Sequence, residues 1–179
     1  MKRFVLIVML VALASAPAFA QWRLDVGVDI PRGVGAMFEG NVEVPQETID
    51  FFNNYFFPFP EAALHYQMDL GLIRAGVGVR AFTLILETAI WPNAFAEVIL
   101  GPVAIEAQVG GGLFGLIGLY NSIQTGALFF PDLSAWVLLG KQKNFRLGIG
   151  AMGFYLPEVT TEGMGLAYYI GGKFAVVFD

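Results

Sequence analysis

Most of the chain alternates, residue by residue, between apolar and polar or small positions. Trp22, Leu24, Val26, Val28 and Ile30 share one face, and Arg23, Asp25, Gly27 and Asp29 the other. The same alternation sets Leu64, Tyr66, Met68 and Leu70 against His65, Gln67, Asp69 and Gly71. It recurs with Val103, Ile105, Ala107 and Val109 against Ala104, Glu106, Gln108 and Gly110, and with Phe145, Leu147, Ile149 and Ala151 against Arg146, Gly148, Gly150 and Met152. In the last run, Phe174, Val176 and Phe178 oppose Lys173, Ala175 and Val177. A period of two is that of a strand whose faces meet different surroundings. With charge on one side only, it describes a wall between lipid and a more polar interior.

Helical spans are the rival, and they need about 20 apolar residues in a row. The best candidate, 82–105, is interrupted by Glu87, Pro92-Asn93, Glu97 and Gly101-Pro102. Alternation fits better. Eight strands are expected, at about 22–31, 61–72, 75–90, 94–100, 103–111, 127–139, 145–155 and 164–178. The long connections fall at 32–60, 91–93, 112–126 and 156–163, the short ones at 73–74, 101–102 and 140–144. Long and short connections alternate, as loops and turns do in a membrane barrel. A short helix is expected within 45–55, begun at Pro45 with acids in its first turns. Glu87 falls on the lipid side of the third strand unless a bulge near Phe82-Thr83 turns it inward. An antiparallel sheet whose last strand pairs with its first has no edges. The fold expected is therefore all-β, an eight-stranded antiparallel up-and-down transmembrane barrel.

Residues 1–20 read as a secretory leader: Lys2-Arg3, an apolar run from Phe4 to Ala14, then Ala18-Phe19-Ala20 before the expected cleavage. That divides the chain of 179 residues into a leader, 1–20, and a barrel domain, 21–179. Losing Lys2 and Arg3 takes the 10 basic residues to 8 against 15 acidic ones, a formal charge of −7. Such a balance argues against nucleic acid. A composition 56% hydrophobic and 14% charged is hard to hide in a soluble domain of this size.

The inward positions carry the candidate chemistry: Arg23, Asp25, Asp29, Asp69, Arg80, Glu87, Glu97, Glu106, Arg146 and Lys173. In an eight-stranded barrel side chains about fill the lumen, so these charges are expected to cross-pair into a plug. The alternative is a narrow channel or a binding site for small solutes, hydrophobic ones included. One His and no Cys make a metal site improbable. Nothing places Ser122 or Ser134 beside His65, so no catalytic residue, enzyme activity or cofactor is expected. Gly148-Ile-Gly-Ala-Met-Gly153 matches a dinucleotide-binding string but lacks the following helix, and is read as small residues in a crowded interior. The apolar stretches 51–59 and 113–120 are too hydrophobic for ordinary solvated loops. They suit an aromatic girdle, a cover over the mouth, a greasy entrance or an adhesive surface.

The leader, the eight alternating strands and the near-terminal Phe178 resemble the small outer-membrane barrels of the OmpA, OmpX and OmpW type. The resemblance is one of architecture over residues 21–179. It implies the outer membrane of a diderm bacterium, a lipid bilayer around a monomer, and a closing strand read by the barrel-assembly machinery through Phe178. Two departures stand out: Asp179 follows the aromatic, and Lys173 occupies the place where a glycine is expected.

Overall fold

A computed structural model describes residues 20–37, 46, 47, 50, 54, 58–84, 86–155 and 164–178. The expected leader, apart from Ala20, and the connection 156–163 lie outside them. Eight antiparallel strands follow one another: β1 (Ala20–Met37), β2 (Phe59–Asp69), β3 (Ile73–Leu84), β4 (Glu87–Leu100), β5 (Val103–Gly118), β6 (Ser122–Leu139), β7 (Phe145–Phe154) and β8 (Met164–Phe178). Each pairs with its neighbour in sequence, and β8 closes on β1 from Trp22↔Phe178 to Met37↔Met164. The sheet has no edge.

The two faces differ as the alternation requires. On the outside, Val26, Leu64, Val77, Val98, Val109, Leu147, Ile170 and Phe174 are exposed. On the inside, Arg23, Glu97, Glu106, Arg146 and Lys173 are buried. A wall this apolar in water would aggregate; in a bilayer it is solvated by acyl chains. This is a transmembrane barrel. At one end of the wall Trp22 and Tyr66 pack with ring centroids 5.3 Å apart, an aromatic girdle on the side of both sheet termini and the short turns.

Four boundaries differ from the sequence expectation. First, β1 runs on to Met37, through part of the expected connection. Second, the expected strand 75–90 is two strands, because the chain reverses between Leu84 and Glu87. Trp91-Pro92-Asn93 is then no connection but the middle of β4, where the β4–β5 register shifts between Ile90 and Asn93. Proline cannot donate to a ladder, and an irregularity is where a strand tolerates it. The β3–β4 register is unbroken from Ile73↔Val98 to Leu84↔Glu87, so no bulge at Phe82-Thr83 turns Glu87; the reversal does. Third, 112–126 is mostly strand, with the turn at 119–121. A bulge between Gly111 and Leu113 sets this taller hairpin off from the wall below, and Gly112 takes a left-handed φ of 74° that a glycine accepts without strain. Fourth, the turn expected at 73–74 lies at 70–72, and Ile73 already begins β3. Within 45–55, Gln46, Glu47, Asp50 and Asn54 are helical, and Gln46 donates to Asp50 at 2.9 Å; the remaining positions are outside the described residues.

Candidate functional site in the barrel lumen

Inward residues recur every second position, so each strand stacks its polar groups at successive heights, and the lumen divides into storeys. The lower storey lies near the short turns. Arg23 of β1 donates to both oxygens of Asp25, at 2.8 and 2.6 Å, to Glu97 of β4 at 3.0 Å and to Glu106 of β5 at 2.9 Å. Arg146 of β7 pairs with Glu97, and Lys173 of β8 donates to Glu106 at 2.5 Å with Asp25 3.8 Å away. Three cations meet three carboxylates across five strands, all almost wholly buried. Rings wall the network: the Lys173 ammonium lies 4.4 Å from the Trp136 ring centre, and Arg23 4.7 Å from that of Phe95. Such contacts add attraction once the cation is desolvated.

Above it a belt of neutral polar groups crosses the lumen. Gln108 donates to Glu106 at 2.7 Å, and Asn93 donates to Gln108 at 2.7 Å while lying 3.1 Å from His65 Nε2. The next storey is built around Arg80 of β3. Its guanidinium donates to Glu61 of β2 at 2.8 Å and to Asp132 of β6 at 2.6 Å, with Asp29 of β1 3.7 Å off. Tyr169 of β8 donates to Asp132 at 2.8 Å. Here one cation serves three carboxylates. Neither oxygen of Asp29 accepts a hydrogen bond among the described residues, although the side chain is buried. The loop-side end is closed by rings: Trp91 packs on Phe82, Phe114 and Phe130 at 4.9 to 6.2 Å between centroids.

Inward glycines make room for these large groups. A Cβ on Gly148 would run into Trp136, on Gly150 into Tyr169, and on Gly110 into Trp91. The glycine string of β7 is therefore packing space.

Of the charges singled out in the sequence, Arg23, Asp25, Asp29, Arg80, Glu97, Glu106, Arg146 and Lys173 sit in the lumen. Asp69 and Glu87 sit half-buried at opposite ends. Asp69 pairs with Arg74 at 2.7 Å beside the 70–72 turn, and Glu87 accepts from the backbone N–H of Tyr120 at 3.2 Å. Sequence reasoning missed Glu61 and Asp132, two of the three carboxylates around Arg80. Asp132 lies inside the strand expected at 127–139, where Pro131 pairs toward β5 one residue before the β6–β7 ladder begins at Asp132↔Met152. Among the described residues no group of three acids, histidines or cysteines is arranged to hold a metal. His65 faces Asn93, whereas Ser134 accepts from Trp136 at 2.8 Å and points at the Glu106 carbonyl.

Fold and faces together define a small transmembrane β-barrel of the eight-stranded kind. No family model and no curated protein matches the chain. Similar solved structures include Neisserial surface protein A, with a TM-score of 0.46 and 11% identity over 87% of this chain and 96% of that one. Another is Ail, the attachment invasion locus protein of Yersinia pestis, in complex with the heparin analogue sucrose octasulfate, with a TM-score of 0.40 and 7% identity over 88% of this chain and 99% of that one. A second crystal structure of Ail gives a TM-score of 0.36 and 6% identity over 88% and 97%. The closed ring stands on its own strand pairing.

Proposed function

We propose that this chain is a barrel of the outer membrane of a diderm bacterium, with a structural or surface-interaction role and a lumen closed by ion pairs. The observation that carries this is the lower storey, where Arg23, Arg146 and Lys173 interlock with Asp25, Glu97 and Glu106. Buried charges held by several partners at once are costly to separate, so no ion passes without breaking them. On this reading residues 1–20 are the leader, 21–179 the barrel, and the monomer reaches its membrane through assembly machinery that reads the closing strand, Phe174, Val176 and Phe178 included. The interaction surface is the tall β5–β6 hairpin, whose Leu119, Tyr120 and Ile123 are each more than two-thirds exposed. An apolar tip raised above the wall suits contact with a partner better than solvation.

Planar-bilayer recording of the refolded protein tests the plug. Silence is expected from the wild type. Solute-dependent conductance would overturn the plug and favour the alternative, a narrow channel.

A further inference from the structure

We propose that the lipid-facing wall carries a site for one phosphorylated lipid of the outer leaflet, with an acyl chain in a groove over Ala135 and Ala151 and the phosphate on Arg32. The proposal rests on the barrel lying in a membrane.

The groove follows from the order of large and small residues on the outer face. The β5–β6 and β6–β7 registers set Ala135 between Ile105 and Ile149. One row higher, Ala151 lies between Leu133 and Tyr168. The two alanines are diagonal neighbours, so a trough crosses the wall between Leu133 and Ile149. It forms a hollow of about 520 Å³, walled almost wholly by carbon, with Arg32 at its edge. That volume is within the range of about 300–1,000 Å³ usual for small-molecule sites.

Arg32 gives the groove a polar end. Among the described strand residues it is the one charged side chain at an outward position; every other charge on a strand points into the lumen or sits at its rim. It stands where the β1–β8 register shifts between Pro31 and Gly33, next to the exposed Tyr168. Ten residues of strand separate it from Trp22 of the lower girdle, which at a tilt of about 40° is a rise of about 25 Å, the height of the apolar band. Arg32 therefore lies at the opposite interface, on the loop side, level with the headgroups of the outer leaflet. A guanidinium there matches a phosphate in charge and in hydrogen-bonding geometry.

Native mass spectrometry of the refolded barrel, released from detergent in the presence of diphosphoryl lipid A, reads the site directly. The wild type is expected to retain one lipid A and to retain phosphatidylcholine poorly. Arg32→Gln is expected to weaken retention about tenfold, the loss of one charge-assisted contact. Ala151→Phe, which fills the trough from the lipid side, is expected to abolish it. Both variants should still fold, shown by the gel shift between heated and unheated samples. The proposal is overturned if the wild type holds no lipid A, if either variant holds it as well as the wild type, or if phosphatidylcholine is retained equally. Failure of the membrane reading would appear separately, as a wild-type protein that does not insert into lipid vesicles.

Discussion

The two storeys of the lumen are made from the same residue types and solve the problem of buried charge differently. Below, three cations and three carboxylates share a network in which each carboxylate has at least one cation within 3.0 Å. Above, Arg80 stands alone among Glu61, Asp132 and the more distant Asp29. Removing one member of a buried pair strands its partner, while replacing a surplus charge by a neutral isostere relieves the excess. The lower storey is thus intolerant of neutralisation at any acid, and the upper is intolerant only at its cation.

The largest effect is expected at Arg80. Arg80→Leu leaves Glu61, Asp132 and Asp29 without a cation, and should lower stability by about 3–5 kcal/mol in urea unfolding of the refolded barrel, or prevent refolding. Gly150→Val comes next. It drives a side chain into Tyr169, and overpacking of that kind costs about 1–3 kcal/mol. Tyr169→Phe should be milder, losing its hydrogen bond to Asp132 for about 1–2 kcal/mol. The sharpest contrast between the storeys comes from neutralising one acid in each. Glu97→Gln should destabilise, because Arg23 and Arg146 both bind that carboxylate. Asp29→Asn should be neutral or stabilise by up to about 1 kcal/mol, because it removes a buried carboxyl group that accepts no hydrogen bond among the described residues. Equal losses from the two neutralisations would erase the distinction.

Much of this was legible in advance, and the misses share a cause. Alternation reads a strand wherever large apolar residues face charged ones, as in β8, whose bounds the sequence expectation reproduces at 164–178. It fails where both faces carry apolar or small residues. In 112–118 Phe114 turns inward onto Trp91 while Leu113 and Ile117 face outward, so no contrast marks the strand. It also fails at proline. Pro92 looks like a turn, and only the pairing pattern reveals that it sits where the β4–β5 ladder is irregular. Asp132 lies inside the expected strand 127–139 and was missed for the first reason: the other inward positions there include Leu128, Phe130, Trp136 and Leu138, so the two faces show little contrast.

By itself the sequence determined the period, hence which residues a strand presents to lipid and which to the interior, and that the excess of inward charge is acidic. Which charge meets which was decided by the tertiary structure alone. Arg23 reaches Glu97 and Glu106 because ring closure and the registers of eight strands set three residues far apart in the chain at one height. No local rule encodes that height, since it depends on every turn and bulge between them.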